Sequence, residues 1–332
     1  MEQKGDRCRP RIADESVWLS QNFFDDEVLE KRFSPAAALR SGIKHIAFET
    51  ENEDLSWLEE SSKLGLLYHA TFHSIFLKWA VAGNGLHVAA DKYKGRKDGQ
   101  VFRISGYRSD GKAIIPVSLH DYPGNIASQL HVEASLILAG WGFCSLYSGI
   151  EEMLFLLFKL YYAHDPENLL QGDEQKPLKA LYRKREDNES SKAVWEAAFA
   201  ERFDQWRVHK GYQGMEKNFS NYVRVTKLDF TSASMVPVEK WGKTLNIVSE
   251  IRNCFVHGAR TVSPKLAGLC ATPESFGFSF TEGEPFRIDM NDLAILEMFL
   301  DEFTTMLNHE FHDTYAKASG VDLKTVFRDR KK

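Results

Sequence analysis

The segment Ser249–Arg260 reads SEIRNCFVHGAR and places an arginine, an asparagine and a histidine at positions 252, 253 and 257. Residues four apart share a helical face, so Asn253 and His257 fall in one polar row with Asn246 and Ser249. Trp241, Leu245, Val248, Ile251 and Phe255 make the apolar stripe beside it. Arg252 stands at the border of that stripe, where a guanidinium must be paired or face an anion, because an unpaired buried charge is expensive. Gly258 follows the histidine and lets backbone or ligand come close. This trio suits the metal-free cleavage of RNA, in which the ribose 2′-hydroxyl loses a proton and the leaving 5′-oxygen gains one. Histidine, with an unperturbed pKa of about 6.5, serves both jobs near neutral pH. A planar Arg fork can hold the charge of a phosphorane-like transition state, and Asn can orient the phosphate or the imidazole. One imidazole cannot be acid and base in the same step; two copies about a twofold axis would supply both. A structural alternative has His257 capping the helix, Arg252 paired with Glu250 or another carboxylate, and Asn253 incidental.

Several elements must position that segment. A helix is expected from about Val238, with Pro237 at or near its first turn, to about Gly258–Arg260. A long helix is expected over about Ala127–His164, another over Lys192–His209, and a last one over Asn291–Lys317. In the last, Leu293, Leu296, Leu300, Phe303, Leu307 and Phe311 form an amphipathic stripe. Between Gly211 and Pro237 the chain reads as polar and partly irregular, and Gly268–Pro285 as loop. Upstream, Asp54–Val81 has helical spacing that Gly83-Asn84-Gly85 would stop, and Gln100–Gly106 and Ala113–His120 read as two strands of a hairpin. Pro116 makes the second an edge strand or shifts it. Tyr122-Pro123-Gly124-Asn125 marks the expected boundary. The reading is mainly α: a smaller α+β domain over 1–125, a helical bundle over 126–318 and a basic tail over 319–332.

With 332 residues, a net charge of −5 and 43% hydrophobic residues, the chain is neither disordered nor a bulk-charge nucleic-acid coat. Cys8, Cys144, Cys254 and Cys270 show no Cys-x-x-Cys spacing, so a reducing, cytoplasmic setting is expected rather than a zinc ribbon or disulfide framework. The polar N-terminus has no apolar core of a secretory signal. Leu136–Ala163 is apolar enough to raise a membrane span, but Glu151, Glu152 and Lys159 favour a buried helix. No phosphate-binding glycine loop or nucleophile elbow is present. Glu151-Glu152 could act as acid and base but more simply edge a buried helix. His309-Glu310-Phe311-His312-Asp313 spaces its histidines three apart and reads as a solvated helix end with Phe311 inward, so no metal or other cofactor is expected.

Arg252-Asn253-Cys254-Phe255-Val256-His257, which is Arg, a polar residue, three residues and His, resembles the signature of HEPN-domain proteins, which is Arg, four to six residues, then His. The aromatic and acidic helix Tyr147–Tyr162 and the helix that follows the motif fit the same pattern, and the resemblance covers about 126–317. It implies a HEPN-like four- or five-helix bundle that dimerises. It also implies metal-independent endoribonuclease activity of a toxin or anti-phage defence kind, and a possible antitoxin or regulatory partner. Arg252 and His257 would be catalytic and Asn253 would support them. One toxin branch carries His-x-Tyr, whereas Gly258 and Ala259 follow His257 here, so modification of that tyrosine is not implied. Lys94, Arg96 and Lys97, and Arg183 and Arg185, lie beside tyrosines in basic runs and are candidate RNA contacts. The rival expectation is an inactive bundle of the same kind that serves as an interaction or dimerisation module for nucleotide, RNA or protein.

Overall fold

The computed structural model describes residue 48 and residues 50–96, 101–109, 111, 113–230 and 237–320. Among these the chain forms α1 (Ser56–Lys94), β1 (Val101–Ser109), β2 (Ile114–Pro123) and α2 (Gly124–His164). There follow α3 (Lys176–Lys184), α4 (Glu189–Gly211), α5 (Met215–Thr226), α6 (Val238–Val256), α7 (Pro264–Cys270) and α8 (Met290–Ser319). The protein is mainly helical with a small antiparallel hairpin, as expected. Cys8, Lys97 and residues 321–332 of the expected tail lie outside the described residues.

Helix α2 is the axis. It carries no charge from Leu136 to Ile150, and a helix apolar on most sides must be enclosed. Ala139, Phe143, Leu146, Ile150, Met153, Leu157 and Phe158 are essentially inaccessible, and α1, α4, α5, α6 and α8 all pack on it. Among the described residues no helix is long and apolar enough to cross a membrane. Glycines allow the close approaches: a Cβ at Gly140 would lie 2.0 Å from the Phe255 ring of α6, and one at Gly149 2.8 Å from Phe72 of α1.

Helix α1 does not stop at Gly83-Asn84-Gly85 but runs on to Lys94. Gly83 has a packing reason instead, since a Cβ there would meet the Met290 sulfur of α8 at 2.9 Å, and tertiary contact overrides the weak propensity. Trp57, Leu58 and Phe72 of α1 belong to the same hydrophobic cluster as the cores of α2, α6 and α8. Two side-chain hydrogen bonds, His69 with Asp301 at 2.6 Å and His73 with Glu297 at 3.0 Å, tie α1 to α8. Near the boundary read at residue 125, β2 ends at Pro123 and α2 begins at Gly124 with no residue between them.

The hairpin is longer than expected. Its register pairs Arg103 with Asp121 and Tyr107 with Pro116, with a bulge between Ile104 and Ser105 that leaves Leu119 as the extra residue. Pro116 is tolerated because both strands of a two-stranded ribbon are edges. The stretch after Gly214 is not irregular: α5 buries Met215, Phe219, Tyr222 and Val225 at helical spacing over only three turns. Within the expected Gly268–Pro285 loop, Cys270 closes α7 and Pro273–Ser275 forms a 3₁₀ turn. His309–Asp313 is not a solvated helix end. Helix α8 continues to Ser319, Glu310 and His312 are buried with Phe311, and His312 meets the Phe48 ring edge-on at 5.0 Å.

Candidate functional site

Helix α6 is built by the stripe seen in the sequence. Leu245, Val248 and Ile251 are fully buried, Trp241 nearly so, and Ile247 joins them. Its end is set by backbone chemistry. His257 is the C-cap residue, Gly258 adopts φ +66°, the Gly258 N–H donates to the Phe255 carbonyl at 3.0 Å and the Ala259 N–H to the Cys254 carbonyl at 2.9 Å. This paired pattern is a Schellman motif, in which a left-handed residue after the C-cap satisfies the last carbonyls. The glycine after the histidine thus stops the helix and leaves the His257 side chain exposed at its end.

Arg252 is half-buried on the flank facing α2. Its Nη1 donates to Asn253 Oδ1 at 2.9 Å, and its guanidinium lies 5.0 Å from the centre of the Tyr147 ring. Such a cation–π contact is worth about 0.5–2 kcal/mol, depending on how dry it is. Glu250 is not its counter-ion, because Glu250 pairs with Lys265 at 2.5 Å. Among the described residues no carboxylate stands within ion-pair distance of Arg252. The nearest influence is Glu151, whose carboxyl burial pushes above its ordinary value while the charges of Arg252 and Arg207 pull it down. Burial likewise raises the Tyr147 phenol, opposed by the Ser249 hydroxyl and the Arg252 charge. Arg207 of α4 closes the flank, paired with Glu152 and lying 5.2 Å from the Phe155 ring centre.

The structure therefore joins Arg252 and Asn253 to Tyr147, Glu151 and Ser249. Glu151 stood among the sequence candidates as a possible acid or base; Tyr147 and Ser249 carried no individual signal as contacts of the arginine. Arg252 and His257 are five residues apart, about 7.5 Å along the axis and about 140° around it, so they point to different sides. Cys254 is half-buried, and burial first, then Glu250, raises its thiol, which does not suit a nucleophile. Beyond His257, Phe255 meets Trp141 edge-on at 5.7 Å, and Ile137, Trp141 and Val256 remain 59%, 56% and 49% exposed, an apolar patch next to the histidine.

The two basic runs lie elsewhere. Lys94 and Arg96 close the C-terminal end of α1, with the Arg96 guanidinium 4.4 Å from the Tyr93 ring centre. Arg183 is exposed at the end of α3, while Arg185 stacks on Tyr182 at 3.9 Å and pairs with Glu186 at 2.7 Å. Helix α3 meets α4 through Tyr182 and Trp195, twelve residues and about 18 Å along α4 from Arg207, so it does not adjoin the Arg252 cluster. Among the described residues no group of three or more His, Cys, Asp or Glu side chains is arranged to hold a metal ion. No protein-family model matches the chain, and neither the curated proteins nor the solved structures contain a match.

Proposed function

We propose that this protein is a metal-independent endoribonuclease of the HEPN kind whose site is completed by a second copy of the chain, in the service of a toxin or defence system. The observation that carries the reading is a half-buried guanidinium oriented by Asn253 and Tyr147 and paired with no carboxylate among the described residues. A cation so placed fits a phosphodiester. His257 projects from the same helix end into solvent, on another side from Arg252, and the exposed Ile137–Trp141–Val256 patch beside it suits a twofold contact. In the proposed step one His257 takes the 2′-hydroxyl proton as the 2′-oxygen attacks phosphorus. The bond from phosphorus to the 5′-oxygen breaks, and the second copy's His257, protonated, gives its proton to that oxygen. The products are a 2′,3′-cyclic phosphate and a 5′-hydroxyl, and Arg252 holds the charge that builds on the non-bridging oxygens.

The test is incubation of purified protein with total RNA, with and without EDTA, followed by end-group analysis. Cleavage that persists in EDTA and leaves cyclic phosphate is expected, with a loss of about 10²–10⁴-fold in His257→Ala. Strong inhibition by EDTA, or full activity in His257→Ala, overturns the reading. A second reading, an inactive dimerisation module, draws on the Schellman end, which accounts for Gly258 without catalysis, and on the same apolar patch. It requires that no RNA class be cut at high protein concentration.

A further inference from the structure

Helices α1 and α2 outlast the bundle. Met290, the first residue of α8, packs at Gly83, so the last turns of α1 and the first of α2 continue past it as a two-helix stalk. The β-hairpin joins their ends. Phe102 of β1 lies 5.2 Å from Tyr93 of α1 and 5.4 Å from His131 of α2, and Tyr93 and His131 lie 5.0 Å apart, so three rings fix the hairpin to the stalk.

The tip differs chemically from the rest of the molecule. Between residues 86 and 132 there are seven Lys or Arg and four Asp, three net positive charges in a chain of −5. Arg103 is neutralised by Asp121, directly opposite it, through two hydrogen bonds of 2.7 and 2.9 Å. Among the described residues Lys92, Lys94 and Arg108 are exposed and have no carboxylate within ion-pair distance. Next to Arg108, the Tyr107 ring is 79% exposed with no packing role to hold it there. Lys92 and Lys94 flank Tyr93 where it meets Phe102, and Tyr107 and Arg108 stand five and six residues further along β1, about 17 Å away on opposite faces of the ribbon. Cations spaced along a ribbon with an open aromatic ring at its far end are the elements of a single-stranded nucleic-acid platform: the charges track phosphates and the ring stacks on a base.

We propose that the stalk tip, with Lys92, Lys94, Tyr107 and Arg108, is a docking site for single-stranded RNA distinct from the Arg252–His257 region. Gly124, where α2 begins, is sixteen residues and about 24 Å along α2 from Gly140, against which Phe255 packs. The site therefore selects RNAs long enough to reach from the tip to the end of α6. Its part in cleavage rests on the ribonuclease reading; its binding of RNA does not.

The test measures binding of the full chain to a 2′-O-methyl oligonucleotide, which has no 2′-hydroxyl and cannot be cut by the proposed step, across a salt series. The variants are Lys92→Ser/Lys94→Ser/Arg108→Ser and, separately, Tyr107→Ser; all four positions are exposed, and circular dichroism checks the fold. We expect the triple variant to lose about tenfold in affinity at low salt and the slope of log affinity against log salt to fall by about 2, at roughly 0.7 per contact on a single strand. Tyr107→Ser should lose about fivefold or more with an unchanged slope. Wild-type affinity in the triple variant, no binding by the wild type, or tighter binding of a duplex would each overturn the proposal. The first of these would leave the exposed Ile104, Ile115 and Leu119 as a protein-docking face instead. If the variants weaken binding but the wild type cuts no RNA, the platform stands and the ribonuclease reading falls.

Discussion

At the scale of single residues, the cluster around Arg252 shows why a motif alone underdescribes a site. The arginine, asparagine and histidine are contiguous in sequence, whereas Tyr147 and Glu151 come from a helix a hundred positions earlier and are linked to them only by packing. Tyr147→Leu is expected to free the guanidinium and lower kcat more than Tyr147→Phe, which keeps the ring face; single-turnover rates of the two variants check this. If Arg252 holds a phosphate as proposed, Glu151→Gln removes a neighbouring carboxyl charge and is expected to lower KM severalfold. Away from the site, Glu310 is buried on α8, and desolvation raises its carboxyl to about 7 from an ordinary 4.5. Its protonated form is the one folding favours. Its contribution is thus fully present below about pH 4.5 and lost as pH rises through about 7. Denaturant unfolding at pH 5 and pH 8 should show the wild type losing up to about 3 kcal/mol from this group, and Glu310→Gln losing much less.

Among elements, those legible in the sequence were the ones whose pattern repeats over many turns. Helices α2, α4, α6 and α8 have long apolar stripes, and the strands have turn residues between them, so each was placed to within a few residues. Helix α5 escaped because its stripe of Met215, Phe219, Tyr222 and Val225, though at helical spacing, lasts only three turns, and its burial is decided by Tyr161, Phe158 and Phe303 from other helices. The run through Gly83-Asn84-Gly85 escaped because local propensity is weak against a packed partner. The spacing of Arg252 and His257 was legible because helical spacing is local; that no carboxylate among the described residues pairs with the arginine is a tertiary fact. The α2–α6 contact supplies its own check. Gly140→Ala drives a methyl into Phe255 and is expected to cost about 1–3 kcal/mol, read from the urea midpoint, with a parallel loss of activity as α6 shifts.

For the whole molecule, the proposed site needs two chains. Sedimentation should show a dimer, and Ile137→Asp/Trp141→Asp, both on exposed positions, should give folded monomers without ribonuclease activity. Below the dissociation constant, activity per chain should fall in proportion to concentration; constant activity on dilution would argue for a self-sufficient protomer. The stalk carries a further consequence. Past Met290, where α8 begins, α1 and α2 are held by each other and by the hairpin, and α1 meets that level with two glycines, each costing a helix interior roughly 1 kcal/mol. Opening should therefore begin there. Amide protons of residues 85–94 and 124–133 should exchange with deuterium well before those of 143–158, giving the protein a labile end and a protected end on the same pair of helices.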